Sequence, residues 1–248
     1  MKKTVIITGG NKGIGLDISK VFADDGYAVF VGAREDTEKL QALSGDVTFV
    51  KTDVKNEKDH QKLVKAALEK TGRLDTYINN AGYSAWRSIA NIDEDFLSSV
   101  LDTNLKGVFW GCKSALAVMK SGANIVNISS IAGKRGSSNN SAYCSSKFGV
   151  NAITQSLAKE VGKKNIRVNA VCPVIVPTDG LIEALDQPES PAYDNIEGFI
   201  ENFKNTQAAL PELPTGEEIG KSCLFLASEN ASAITGQCIN VDCGVFPQ

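Results

Sequence analysis

Tyr143 and Lys147 are the two side chains whose types and spacing best suit acid–base chemistry. They lie in Ser141-Ala142-Tyr143-Cys144-Ser145-Ser146-Lys147, at the head of an apolar-periodic segment that runs on through Phe148, Val150, Ile153, Leu157 and Ala158. That periodicity predicts a helix, which would put both side chains on one face, a turn apart. A phenol ionises at a pH of about 10, and a fixed ammonium beside it favours the ionised form. Such a pair could give and take back a proton; the same spacing also describes a Tyr and a Lys sharing a solvated helix face.

Other chemistries are poorly supplied. The single histidine, His60, falls in a charged stretch from Lys55 to Lys65 that reads as a solvated helix, and no Gly-x-Ser-x-Gly elbow is present. Serine and cysteine hydrolases and multi-histidine metal sites are thereby disfavoured, and no metal site is expected. Six scattered cysteines without a Cys-x-x-Cys pair read as free thiols in a reducing cytosol, which predicts a cytoplasmic protein. The net charge of -3, from 26 basic and 29 acidic residues, offers no basic field for nucleic acid or membrane. The apolar run after Met1-Lys2-Lys3 stops at Gly9-Gly10, too short for an export signal or a span.

The elements that must hold Tyr143 and Lys147 alternate along the chain. A β-branched run, Thr4 to Thr8, leads through Thr8-Gly9-Gly10-Asn11-Lys12-Gly13-Ile14-Gly15 into a helical pattern and then the apolar run Ala28 to Ala33. Strand, glycine turn, helix, strand is a βαβ unit with a parallel sheet. Further strands are predicted at Val47–Val50, Leu74–Asn79, Ala123–Ile128, Ile166–Cys172 and Gly236–Val241, with helices over Glu57–Lys70 and Glu94–Met119. The pattern predicts one α/β domain over residues 1–248, a Rossmann-type doubly wound parallel sheet of about seven strands flanked by helices.

In such a sheet ligands bind beyond the carboxyl ends of the strands, where strand order reverses. Gly9 to Gly15, Asn79 to Gly82, Ser129-Ser130 and the loop after Cys172 would share that rim. A glycine turn feeding a helix presents backbone N–H groups to a phosphate, although glycine turns also close many βα units with no ligand. Six of the seven prolines lie between 173 and 214, and from Asp179 to Phe203 there are seven acidic residues and no basic one. This irregular excursion predicts a substrate lid over residues 179–214, or an ordinary surface insertion.

Taken together and in order, Thr8-Gly9-x-x-x-Gly13-Ile14-Gly15, Asn79-Asn80-Ala81-Gly82, Asn104 in Asn-Leu-Lys-Gly, Ser130 and Tyr143-x-x-x-Lys147 resemble the short-chain dehydrogenase/reductase family. Arg167 to Pro173 and Thr235 to Asp242 are similar to it too, so the resemblance covers essentially the whole chain. It implies hydride transfer between a nicotinamide cofactor and a carbonyl or secondary alcohol. Tyr143 would be the acid/base and Ser130 would bond the substrate oxygen. Lys147 would lower the Tyr143 pKa and hold the nicotinamide ribose, and Asn104 would position a water. Cofactor contacts are implied for Gly9, Asn11, Lys12, Gly13, Ile14 and Gly15, for Asp53 and Val54 at the adenine, and for Asn80, Ala81 and Gly82 at the ribose. Pro173, Val176 and Thr178 would meet the nicotinamide end.

Arg34, just after the second strand, and Lys12 in the glycine turn predict NADP(H) over NAD(H), because a cation there suits a 2′-phosphate. Glu35 and Asp36 alongside could bond a ribose hydroxyl or cap the next helix. Val174 stands where the family usually has glycine, and a Val would be strained there if that position needs positive φ. Arg87, Lys134 and Arg135 could receive a substrate anion or be solvated loop charges, and the acidic lid counts against an acidic carrier protein. The resemblance also implies a homo-oligomer, tetramer or dimer, working on a small-molecule substrate. A non-catalytic NADP(H)-binding sensor or scaffold is the alternative.

Overall fold

The computed structural model describes residues 2–247. Seven strands form one parallel sheet in the order β3-β2-β1-β4-β5-β6-β7. They are β1 (Thr4–Thr8), β2 (Ala28–Ala33), β3 (Asp46–Lys51), β4 (Thr76–Asn79), β5 (Asn124–Ile128), β6 (Arg167–Pro173) and β7 (Cys238–Val241). Each strand end lies within two residues of its expected place. The reversal falls between β1 and β4, where the chain leaves the β3 edge and returns on the far side of β1, with Val5 opposite Thr76 and Ile7 opposite Ile78.

Helices cover both faces. On one face α1 (Gly13–Asp24) and α9 (Gly216–Ala227) bury Ile18, Phe22, Ile219 and Leu226 against Val5, Ile7, Val29 and Val31. On the other, α3 (Glu57–Thr71), α5 (Gly107–Leu116) and α6 (Ser141–Val161) bury Leu63, Val108, Val150 and Ile153 against Ile6, Phe30, Tyr77 and Ile125. Alternate residues of β1 thus serve opposite cores, which is why the strand is apolar throughout. The long helical stretch expected over Glu94–Met119 divides: α4 (Glu94–Leu101) and α5 are joined by a π-helical turn, Asp102–Lys106. π-turns are rare and cluster at functional sites.

Two sequence expectations need correction. The Lys55–Lys65 helix is solvated only on its outer face, for His60 is fully buried. Its Nδ1 lies 2.7 Å from the Tyr77 hydroxyl and its Nε2 2.9 Å from the Val54 carbonyl oxygen. Those contacts suit a neutral ring that accepts from the phenol and donates to the carbonyl, and burial holds its pKa below the ordinary value. Segment 179–214 is also less irregular than its prolines suggest. It carries α7 (Asp179–Leu185) and α8 (Ile196–Gln207), anchored by the buried Leu185 and Ala192. A short helix, α2 (Glu38–Gln41), follows β2.

Candidate active site

The glycine turn after β1 is held open by backbone geometry and cross-ties. Gly9 has φ +65, and a Cβ there would meet Ala81 Cα at 2.9 Å; a Cβ on Gly15 would overlap the Gly9 carbonyl. Asn80 Nδ2 donates to the Thr8 and Gly9 carbonyls at 2.9 and 3.1 Å, and the Asn80 and Ala81 N–H groups donate to Thr8 Oγ1. Lys12 is the N-cap of α1, and no side chain caps that helix. The first-turn N–H groups at Gly13, Ile14 and Gly15 therefore face outward at the positive end of the helix dipole. Opposite them, a Cβ on Gly13 would lie 3.6 Å from Thr178. A glycine cradle of unpartnered N–H groups, walled by Thr178, fits a pyrophosphate.

Arg34 and Lys12 are both exposed, and neither enters an ion pair among the described residues. Asn11 is buried and ties the turn to the Arg34 loop: its Nδ2 donates to the Glu35 carbonyl at 3.1 Å, and its carbonyl accepts from Thr37 Oγ1 at 2.8 Å. Asp36 accepts from the Thr37 N–H and from Gln41 Nε2, and so serves α2 locally. Asp53 and Val54 follow β3; the Asp53 N–H donates to Asp59 and the Val54 carbonyl faces His60.

Tyr143, Ser130, Lys147 and Asn104 are brought to the carboxyl ends of β4 and β5. The Ile131–Gly133 turn packs against α6 so closely that a Cβ on Gly133 would lie 2.7 Å from the Lys147 carbonyl oxygen, and Asn151 Nδ2 bonds the Gly133 carbonyl at 2.9 Å. Ser129 is buried and turned toward the Lys147 carbonyl, at 3.3 Å, whereas Ser130 is half-buried, its Oγ accepting from the Ala132 N–H at 3.1 Å and donating to the Pro173 carbonyl at 3.4 Å. Lys147 is 5 % exposed; its Nζ donates to the Ile128 carbonyl at 2.9 Å and lies 5.7 Å from the centre of the Tyr143 ring. Burial pulls the ammonium pKa down to about 8.

The Tyr143 phenol does not follow the sequence expectation that Lys147 would lower its pKa. Burial dominates and raises it, and the nearby Ser84 and Ser130 hydroxyls, rather than Lys147, oppose the rise. Asn104 sits in the π-helical turn, where its side chain grips one residue from both sides: Oδ1 accepts from the Tyr83 N–H at 3.1 Å and Nδ2 donates to the Tyr83 carbonyl at 2.9 Å. Ser84 went unremarked in the sequence; its only signal was its place just after Asn79-Asn80-Ala81-Gly82.

The loop after β6 carries Pro173, Val176 and Thr178 along the same rim. Val174 is not in the left-handed region, so the residue that replaces the usual glycine is unstrained. Val176 is buried, and Thr178 caps α7 by accepting from the Leu181 N–H. A cleft of about 370 Å³ separates Val176, Pro177 and Thr178 from Ile200, Glu201 and Lys204 of α8. Glu189, between α7 and α8, accepts from the Ser88 N–H at 2.8 Å and from Asn91 Nδ2 at 3.0 Å, joining this segment to the loop after β4. The three candidate anion receptors are spoken for. Lys134 Nζ donates to the Cys238 carbonyl at 2.6 Å, Arg135 stacks on Phe246, and Arg87 pairs with Asp93 over the Phe96 ring.

A doubly wound sheet with a glycine cradle at its switch point and a Tyr, Ser, Lys and Asn gathered on the same rim defines a nicotinamide-dependent type of oxidoreductase. The chain belongs to the short-chain dehydrogenase/reductase family: residues 9–246 match a family model described as enoyl-(acyl carrier protein) reductase. Among relatives, it is 36 % identical to the 3-oxoacyl-[acyl-carrier-protein] reductase FabG of Chlamydia muridarum, over 99 % of this chain and 98 % of that protein. Among solved structures it resembles an aldohexose dehydrogenase of Thermoplasma acidophilum, with TM-score 0.88 and 29 % identity over 98 % of this chain and 94 % of that one. A variant actinorhodin polyketide ketoreductase crystallised with NADPH is as similar, with TM-score 0.88 and 29 % identity over 98 % and 97 % of the two chains. No helix among the described residues is long and apolar enough to cross a membrane.

Proposed function

We propose that this oxidoreductase transfers hydride between NADP(H) and a carbonyl or secondary alcohol, with Tyr143 as acid/base. The observation that carries the reading is the placement of Tyr143, with the Lys147 ammonium 5.7 Å from its ring centre, and of Ser130, just past the end of β5, on a rim shared with the glycine cradle. Bound there, the nicotinamide would supply or accept the hydride. In the reducing direction Tyr143 gives its proton to the substrate oxygen as charge develops on it, and Ser130 donates a hydrogen bond to the same oxygen. In oxidation the phenolate takes that proton back. Lys147, buried with a pKa near 8, stands behind the phenol as a group able to exchange a proton near neutral pH.

Arg34 and Lys12, both exposed beside the cradle, support NADP(H) over NAD(H). The cleft beneath α8 and the Glu189 bonds support residues 179–214 as a substrate lid. Phe109 of α5 and Phe148 of α6, exposed at 51 % and 47 %, support a homo-oligomer built on those two helices.

The test is NADPH oxidation over a panel of ketones, keto-sugars, steroids and acyl thioesters, with wild type and Tyr143→Phe. Turnover by wild type, lost by at least about a hundredfold in the variant with NADPH affinity kept, is expected of general-acid chemistry. Unaltered turnover in Tyr143→Phe would remove the assignment. Tight binding with no turnover across the panel would favour a cofactor sensor or scaffold.

A further inference from the structure

His60 is a buried imidazole that the proposed reaction leaves unused, and both of its ring nitrogens are engaged. Its Nδ1 accepts from the Tyr77 hydroxyl of β4 at 2.7 Å, and its Nε2 donates to the Val54 carbonyl at 2.9 Å. The ring thus links a central strand to the loop after β3. Asp59, the residue before it on α3, accepts from the Asp53 N–H at 3.0 Å. Two successive residues of one helix therefore hold two successive residues of one loop. The loop also rests on bare helix backbone, for a Cβ on Gly107, the first residue of α5, would lie 3.2 Å from Val54 Cβ and from its carbonyl oxygen.

These contacts fix both peptide units around Val54. The first has its carbonyl, that of Asp53, bonded to the Asn56 N–H at 3.0 Å. A trans peptide then turns the Val54 N–H the other way, and that N–H has no hydrogen-bond partner among the described residues. The second unit is held at its carbonyl by His60. An apolar side chain at position 60 would pack α3 onto the sheet with no polar group to satisfy; what the imidazole adds is a bond to the loop.

We propose that Asp59 and His60 are positioning residues for the adenine of the cofactor: they hold Asp53 and Val54 so that the free Val54 N–H meets an acceptor nitrogen on the edge of the ring. This rests on the proposed NADP(H) site, with Asp53 and Val54 at the adenine, and it gives the core histidine a task in binding. Both residues act through the loop and need not touch the cofactor. A donor fixed beforehand spares the ordering cost that a mobile loop would pay on binding.

The experiment is calorimetric titration of wild type, Asp59→Ala, His60→Ala and His60→Gln with NADPH, NADH, 5′-AMP and inorganic pyrophosphate, after urea unfolding has shown which variants are folded. Losing one bond that orders the loop should weaken NADPH, NADH and AMP by a common factor, roughly three- to tenfold. Pyrophosphate, which needs only the glycine cradle, should bind every folded variant as it binds wild type. At saturating NADPH kcat should hold while the KM for NADPH rises. His60→Gln, whose amide nitrogen can reach the Val54 carbonyl, should restore most of the affinity. Asp59 is only half-buried, so Asp59→Ala reads the loop even if His60→Ala does not fold. AMP bound equally by wild type and the folded alanine variants overturns the inference, as does a loss of pyrophosphate binding in step with AMP, the mark of general damage. Wild type that binds pyrophosphate but not AMP would instead overturn the adenine reading beneath it.

Discussion

If Arg34 and Lys12 receive a 2′-phosphate, neutralising them should weaken NADPH and leave NADH nearly untouched. Arg34 stands just past β2, where the Ala33 carbonyl accepts from the Thr52 N–H at 2.8 Å. Its loop is bound to the glycine turn through Asn11 and Thr37, so the guanidinium is offered from a fixed backbone. A charge-assisted contact with phosphate contributes roughly 1.5–3 kcal/mol, and the solvent around this exposed side chain keeps it near the lower end. Arg34→Ala should therefore weaken NADPH about 10- to 30-fold, or roughly 1.4–2 kcal/mol. Lys12→Ala, which removes a hydrated point charge, should cost less, and the two losses should not fully add because both would touch one phosphate. Fluorescence titration of each protein with NADPH and NADH measures this directly. Repeating it between about 0.1 and 1 M salt, where the screening length falls from about 10 to 3 Å, should shrink the wild-type preference for NADPH. Equal losses of both nucleotides would refute the reasoning, because they would mean that Arg34 shapes the turn rather than reads the phosphate.

Two further expectations concern the scaffold. Gly15→Ala should weaken NADPH and NADH alike by more than tenfold and lower the urea midpoint, because its Cβ would occupy the place of the Gly9 carbonyl and displace the turn; titration alongside urea unfolding checks both. His60 is held below its ordinary pKa by burial, so below about pH 6.5 the unfolded chain binds a proton that the folded chain refuses. Its contribution to stability is present above that pH and is lost as pH falls toward the folded-state value, by up to about 1.4 kcal/mol per pH unit. Urea midpoints at pH 7.5 and 5.5 should thus fall more steeply for wild type than for His60→Gln.

The sheet was legible because each strand is a short apolar run closed by a turn signal, and parallel strands buried on both faces leave little room for polar residues. The candidate site was legible where residue type and local spacing carry it, as at Gly9 to Gly15 and at Tyr143 and Lys147. It was opaque where function depends on partners distant in sequence. Nothing near His60 announces Tyr77, whose hydroxyl lets a histidine lie in the core. Likewise nothing in the sequence joins Cys172 of β6 to Asn151 of α6, whose side-chain oxygen accepts from its thiol at 3.9 Å. The Tyr143 pKa was misjudged because helical spacing measures reach to Lys147 and says nothing about burial or about Ser84.

The tie between Asn80 and the glycine turn also bears on the order in which the molecule assembles. Thr8 waits 72 residues for the partner that fastens it. All strand pairs are parallel, so none can close through a tight hairpin, and each pairing must await a crossover. During synthesis β1, β2 and β3 would emerge first as a three-stranded half with one flank of β1 bare, an apolar edge open to misassociation until β4 docks. Long-range parallel pairing is slow to form, so β4 docking is the step on which completion of the phosphate cradle should wait. A dinucleotide would then select the finished sheet and could not template the first half of it.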